Sequence, residues 1–335
     1  MERYQRQMML PEIGESGQRK LMQARVLIAG AGGLSATLLP QLAGAGVGTL
    51  RIYDADEVAL HNLHRQTLFT QQDIGQSKVL SARQALAQRN PEVNIETCAQ
   101  ALTASNIAQA IAGCTLVIDA ADNFAVTWQL SDACYAAGTP FISASVLGRQ
   151  GYAGGFCGGA PSYRALFPRL PRTAASCSTA GVMGPAVAVL GAMQAQMALT
   201  VLLELQPSPL GLMVNCDFVN WHFRAFRFDE AQEPAVPGVP FIDRSLLTPA
   251  DCVVELRSRD EAPASVASQA ERILPADLSA WQPPAGRRIV LVCASGLRAA
   301  QAASELAERG YTDLAILAAN NIPEAGSFSE NTGIL

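Results

Sequence analysis

The sequence predicts the α/β class: a mostly parallel sheet with helices on both faces, followed by a smaller α/β domain. Three observations carry that reading. Apolar strand-like runs alternate with helix-like stretches from Arg25 to about Ser145. A glycine turn, Gly30-Ala31-Gly32-Gly33, joins the first strand to the first helix. A shorter alternation restarts beyond a proline-rich stretch near Glu233. Strands that read as near-continuous apolar runs between helices belong to parallel sheets buried on both faces.

Taken in order, the expected strands are 26–29, 50–53, 93–97, 115–119 and 140–145, with helices near 34–45, 77–88, 104–112 and 125–137. The glycine-broken segment 151–156 extends the sheet with antiparallel strands, and 161–179, rich in proline and serine without a clear period, reads as an exposed loop. A long helix fits 182–205, and strands fit 212–216 and 222–228. The run Glu233-Pro234-Ala235-Val236-Pro237-Gly238-Val239-Pro240 has a stiff-linker composition. This divides the chain into 1–232, a linker at 233–240 and a second domain at 241–335, with strands at 252–256, 289–293 and 314–317 and a helix at 299–309.

Composition narrows the function classes. Hydrophobic residues make up 49% of the 335, enough for a sizeable core, while only 16% are charged and the net charge is −5. A nucleic-acid binder would carry a basic face, so that partner is not expected. The polar start Met1-Glu2-Arg3-Tyr4-Gln5-Arg6 is unlike a secretory signal, and Gly184, Pro185, Gln194 and Gln196 interrupt the apolar stretch 181–205, which therefore reads as a buried helix and not a membrane span. The eight cysteines show no paired spacing, as expected of reduced thiols in a cytoplasmic protein.

The chemistry concentrates between residues 30 and 123. A glycine turn between strand and helix lets backbone N–H groups and the positive helix end approach a phosphate. Gly30, Gly32 and Gly33 supply that turn, with Ser35 where a dinucleotide fingerprint has its third glycine. An acid at the end of the second strand, Asp54, is placed to bond ribose hydroxyls. Arg65 offers a planar fork and Lys78 a point charge to phosphate oxygens, with Asn62 and Gln66 as polar neighbours. Asp119 and Asp122 close the fourth strand, where ligands sit in open α/β sheets; an acid beside phosphates points to Mg²⁺. Asp122 is the expected metal contact and Asp119 the expected helix cap. A dehydrogenase has no need of this arginine, lysine and acid; the set suits binding ATP and attacking it.

The ordered motifs Arg3-Tyr4-Gln5-Arg6-Gln7, GAGGLS, Asp54-Ala55-Asp56, NLHRQ, Lys78, DAADN and Cys177-Ser178-Thr179-Ala180-Gly181 resemble the ThiF/MoeB/HesA family over roughly residues 1–228. The resemblance implies a Rossmann-like fold and ATP- and Mg²⁺-dependent adenylation of the C-terminal Gly-Gly carboxylate of a ubiquitin-like sulfur-carrier protein. It assigns ribose binding to Asp54 with Asp56 alongside, triphosphate handling to Asn62, Arg65, Gln66 and Lys78, and Mg²⁺ to Asp122. It also implies a homodimer in which Arg6 reaches the partner's ATP. Cys177 stands where relatives carry a cysteine implicated in thioester, persulfide or acyl-disulfide chemistry. Relatives also carry two CxxC pairs that bind zinc; here Ser162-Tyr163-Arg164-Ala165 occupies the first position, so no structural zinc is expected.

In the second domain, strand 289–292 leads into Cys293-Ala294-Ser295-Gly296-Leu297-Arg298 and a helix. Backbone N–H groups and a helix end behind Cys293 favour a thiolate or persulfide, Gly296 allows the turn, and Arg298 closes an anion cradle. This resembles a degenerate rhodanese domain, which implies sulfur transfer to the activated carrier from a cysteine desulfurase or thiosulfate. Glu255-Leu256-Arg257 stands where Asp-x-Arg is usual there. Two alternatives stay open: adenylation of another peptide or small-molecule carboxylate, and a non-catalytic scaffold that binds a carrier. Thiamin, molybdopterin and thio-siderophore pathways all fit the carrier that the resemblance implies.

Overall fold

The chain divides into two compact units, Met1–Gly238 and Val239–Leu335. The computed structural model describes residues 1–168, 181–236 and 238–319.

The first unit opens with two helices that the apolar pattern did not reveal, α1 (Gln5–Met8) and α2 (Gly14–Gln23). Helix α2 carries an i,i+4 Glu15–Arg19 ion pair on its exposed side and buries Leu21. The nucleotide-type core follows as β1 (Arg25–Ala29), α3 (Gly33–Gly44), β2 (Thr49–Tyr53), α4 (Lys78–Arg89), β3 (Asn94–Cys98), α5 (Ile107–Ile111), β4 (Leu116–Asp119), α6 (Phe124–Ala137) and β5 (Phe141–Leu147). After it come β6 (Gln150–Phe156), α7 (Tyr163–Leu166), α8 (Gly184–Leu202), β7 (Leu212–Asp217) and β8 (His222–Arg227). The strands lie in the order β3-β2-β1-β4-β5-β6-β7-β8; β1–β5 are parallel and β6–β8 continue antiparallel.

Burial explains the pattern. In β1, Val26, Leu27 and Ile28 are fully buried, as are Leu116, Val117 and Ile118 of β4, because helices cover both faces of the central strands. Right-handed crossovers place α3 and α4 on one face and α5 and α6 on the other. Helix α8 is long and apolar enough to cross a membrane by composition alone. Instead it lies along α3 and over β5 and β6, with Leu190 and Gln194 inside the protein.

The segment expected to be an exposed loop is partly buried. Ser162 caps α7 and, with its own N–H, donates to the Glu233 carboxylate at 2.6 and 2.7 Å. Arg164 pairs with Asp132 through two hydrogen bonds and stacks 4.1 Å from the Trp128 ring centre. Tyr163 packs edge-on to Phe156 and close to Phe167. A patternless stretch hid this because each buried side chain is fastened by a polar partner distant in sequence. Glu233 belongs to the same cluster, so the first unit continues through the proline-rich run to Gly238.

In the second unit β9 (Cys252–Glu255), β10 (Glu271–Arg272), β11 (Ile289–Cys293) and β12 (Leu314–Ala318) form a parallel sheet in the order β10-β9-β11-β12. Helix α9 (Leu297–Glu308) packs on β11 and β12 with Ala299, Ala303 and Leu306 buried, while Val253, Val290, Val292 and Leu317 form a separate cluster that includes no residue of this helix.

Candidate functional site

Strand order reverses between β1 and β4, and the loops leaving their carboxyl ends meet there. Gly30 has φ +94°, and a Cβ on it would stand 2.8 Å from the Ala120 carbonyl oxygen. The β4–α6 loop therefore lies directly against the glycine turn, which only glycine permits. The Ser35 hydroxyl, fully buried in the first turn of α3, donates back to the Gly30 carbonyl at 2.5 Å and braces the turn from the helix side.

Asp54 follows β2. Its carboxylate accepts from the Ala31 N–H at 2.7 Å and the Asp56 N–H at 2.8 Å, so it shapes the turn as well as facing it. Burial pushes its pKa up, opposed by nearby Lys78 and these two backbone donors. Lys78, the first residue of α4, is almost wholly buried, and its ammonium lies 2.7 Å from the exposed Asp56 carboxylate. A buried ammonium needs such a partner.

The Asn62–Gln66 segment folds over the turn. Asn62 accepts at its side-chain oxygen from the Ala59 N–H, and its carbonyl receives the N–H groups of Arg65 and Gln66. Gln66 is buried with its Oε1 unpartnered, and its Nε2 stands 3.9 Å from where a Gly32 Cβ would be. A Cβ on Gly33 would stand 3.5 Å from Arg65 Cγ, and one on Gly184 would stand 3.6 Å from Arg65 Cα. Arg65 thus lies where the N-termini of α3 and α8 converge. Its guanidinium donates to the His61 carbonyl at 3.0 Å and approaches His64 Nε2 at 3.0 Å. The structure thus brings Arg65, Lys78 with its partner Asp56, and the N-termini of α3 and α8 together about the glycine turn, and helix N-termini and cations are groups that can meet phosphate oxygens.

The two acids of β4–α6 differ from expectation in one respect. Asn123, not Asp119, caps α6, accepting from the Ala125 N–H at 2.9 Å. Asp119 is instead buried, accepting from the hydroxyls of Thr127 and Ser143 and the Ala121 N–H. Burial pushes its pKa up to about 6 against those bonds. Asp122 is exposed in the loop that lies on Gly30. Among the described residues no group of three His, Cys, Asp or Glu side chains could cage a metal. One exposed carboxylate fits Mg²⁺ held mainly by nucleotide phosphates.

Arg6 is not part of this arrangement in its own chain. It is exposed on α1, and its neighbour Gln7 donates to the Ala45 carbonyl at the far end of α3. That end is roughly 18 Å from the glycine turn, at 1.5 Å per residue. Cys177 lies outside the described residues. Gln194, which the sequence offered only as a break in an apolar helix, donates to the Asp119 carbonyl at 2.6 Å. A lone glutamine in such a helix was the available signal.

In the second unit Cys293 is the last residue of β11 rather than a loop residue, and it is fully buried. The Ala299 N–H reaches its sulfur at 3.3 Å. Burial nevertheless pushes the thiol up, outweighing Ala299, Gly296 and Arg298. Burial thus works against the thiolate that the backbone donors and Arg298 favour. Arg298 does not stand open as an anion cradle; it forms a two-point ion pair with Glu261.

Comparison with known proteins follows this division. The profile of the ThiF family matches residues 4–237. A sulfur carrier protein adenylyltransferase of Thermus thermophilus is 37% identical over 232 residues, covering 67% of this chain and 86% of that protein. The sulfur carrier protein ThiS adenylyltransferase of Escherichia coli is 40% identical over 241 residues, 70% of this chain and 94% of that protein. Bovine MOCS3, an adenylyltransferase and sulfurtransferase, is 41% identical over 228 residues, 67% of this chain. The match spans 50% of MOCS3, about half its length. The solved structure of MccB, a microcin C7 biosynthetic enzyme, in complex with N-formylated MccA has a similar fold, with TM-score 0.61 at 20% identity over 70% of this chain and 73% of that one.

Proposed function

The chain belongs to the ThiF family, and from that premise we propose that it adenylates the C-terminal Gly-Gly carboxylate of a small ubiquitin-like sulfur-carrier protein and passes sulfur to it. The observation that carries this reading is the convergence of Arg65, buried Lys78 and two helix N-termini on one glycine turn. A carboxylate attacking an α-phosphate brings two anions together. Fixed positive charge on both sides of the reacting atoms lowers that repulsion without a covalent nucleophile.

In this reading ATP lies across the turn, with its ribose on Asp54. The Asp54 oxygens keep lone pairs free after holding the Ala31 and Asp56 N–H groups. Lys78 exchanges Asp56 for a phosphate oxygen, and Arg65 turns from the His61 carbonyl toward the triphosphate. Asn62 and Gln66 support the phosphates from the covering segment. Mg²⁺, with Asp122 as its protein contact, supplies charge neutralisation at the phosphates. Arg6 reaches the ATP of a second copy in a homodimer. The carboxylate displaces pyrophosphate; a persulfide on Cys293 then displaces AMP at the acyl carbon. A second thiol, for which Cys177 is the candidate, attacks the Cys293 sulfur of the resulting acyl disulfide; the S–S bond breaks, the thiocarboxylate leaves, and the new disulfide on Cys293 is reopened by an external dithiol reductant.

ATP–pyrophosphate exchange with a purified Gly-Gly-terminated carrier tests the first half. Exchange that depends on the carrier is expected. Arg65→Ala and Asp122→Ala should each lower it by about 10²–10³-fold, the scale for removing one transition-state charge partner, with the unfolding temperature unchanged. Exchange that survives both substitutions rejects the site; nucleotide binding without carrier-dependent exchange points to another carboxylate as acceptor.

A further inference from the structure

Both guanidinium groups near Cys293 are already neutralised. Glu255, at the end of β9 and fully buried, takes Arg257 in a bidentate pair at 2.8 and 2.7 Å. Glu261 takes both terminal nitrogens of Arg298, one of them at 2.8 Å. Glu255 pairs in register with Val292, the residue before Cys293. Arg298 lies on the first turn of α9, whose second and third N–H groups face the sulfur. Among the described residues, the two arginines near the thiol are therefore each matched by a carboxylate, leaving no net positive charge on these pairs.

This balance selects among sulfur donors. A thiosulfate dianion brings two charges and sheds them as sulfite only where uncompensated cations receive it. Burying it beside neutral ion pairs leaves that charge unpaired, which is costly. A thiol-bound persulfide brings at most one charge, and it sits on the sulfur that is transferred, where the backbone N–H groups point.

Resting on the sulfur-transfer reading above, we propose that Glu261 is a specificity-determining residue: by holding Arg298 it makes Cys293 accept sulfur from a thiol-bound persulfide and not from thiosulfate. In the transfer, the Cys293 sulfur attacks the outer sulfur of the donor R–S–SH. The donor S–S bond breaks and a new S–S bond forms on Cys293. The departing R–S⁻ takes up the proton that Cys293 lost, so R–SH and Cys293–S–SH result with no net oxidation. Glu261 and Arg298 are each a little over one-third exposed, so altering the pair does not open the core.

The test uses the full chain and reads persulfide on Cys293 by intact mass and peptide mapping. Three donors are compared: thiosulfate, glutathione persulfide, and a cysteine desulfurase charged with cysteine. The wild type should load from the persulfides and poorly from thiosulfate. Glu261→Gln should raise thiosulfate loading by about tenfold or more, equivalent to about 1.4 kcal/mol, with little change for the persulfides. Adding Arg298→Ala should remove that gain. Loading only from the desulfurase, or also from glutathione persulfide, identifies a protein or small-molecule source within the proposal. Equal wild-type loading from thiosulfate, or an unchanged donor ratio in Glu261→Gln, overturns the role of Glu261 and leaves sulfur transfer standing. No loading from any donor in either form defeats the sulfur-transfer reading itself, and the proposal with it. Thermal unfolding of the full chain, measured alongside and unchanged in Glu261→Gln and in the double variant, reports that the second unit, which holds all three residues, is folded.

Discussion

At the scale of single residues, the sequence named Asp54, Asn62, Arg65, Gln66 and Lys78, which the structure brings near the glycine turn, because charged side chains close to glycines in an apolar fold have few structural uses. It misplaced Asp119, since a string of acids after a strand does not say which one faces inward. Burial raises the Asp119 pKa to about 6, with Thr127, Ser143 and Ala121 donating to it. Its folded value lies above the ordinary carboxylate value, so the folded state binds the proton first as pH falls. The group therefore costs stability at neutral pH, and acidification through about pH 6 relieves that cost. The shift from 3.8 to about 6 corresponds to at most about 3 kcal/mol at 1.36 kcal/mol per unit. Urea unfolding of the wild type and Asp119→Asn should show the wild type gaining about 1–3 kcal/mol relative to the variant between about pH 7 and pH 4.5. A difference independent of pH would mean that Asp119 is not held as a buried carboxylate.

Elements were legible where their period was strong. Strands β1, β2, β4 and β5 and helices α3, α4 and α6 fall close to where the apolar pattern put them, since residues buried on both faces must be apolar almost without interruption. The pattern gave no sign of α1, α2, β10 or α7, which are short or depend on polar fastenings. Nor did it show how closely α3 and α8 approach. A Cβ on Gly191 of α8 would stand 2.3 Å from the Leu34 carbonyl oxygen of α3. Gly191→Ala forces the helices apart, and overpacking of this kind costs about 1–3 kcal/mol. The unfolding temperature should drop by several degrees, and nucleotide affinity should fall because Leu34 lies in the first turn beyond the glycines. Gly44, also on α3, has nothing within 4 Å of a Cβ. Gly44→Ala should leave the unfolding temperature level or slightly raised, consistent with the helix preference of alanine. Matching losses in both variants would show that the contact is not specific.

For the whole molecule, the division into two compact units assigns the adenylation and sulfur-transfer proposals to different parts of the chain. Cys293→Ala should leave carrier-dependent pyrophosphate exchange at the wild-type rate while abolishing thiocarboxylate formation; a sulfur yield that persists would show Cys293 idle. The distance of Arg6 from its own glycine turn makes the homodimer testable by complementation. Arg6→Ala and Arg65→Ala should each be inactive alone, yet a mixed preparation should recover part of the exchange, since one site of the mixed dimer regains both arginines. No recovery after subunit exchange would remove Arg6 from the site.

The sequence by itself determined the α/β alternation, the glycine turn and the residue types able to meet a triphosphate, because these depend on local period and on chemistry that a side chain carries wherever it lies. Tertiary structure alone decided that Lys78 is buried against Asp56, that Asp119 is buried, that Ser162, Arg164 and Glu233 fasten the segment once read as a loop, and that Glu261 neutralises Arg298. Each joins groups far apart in the chain. Whether a charge is free or paired, buried or wet, depends on which distant residue folding places against it.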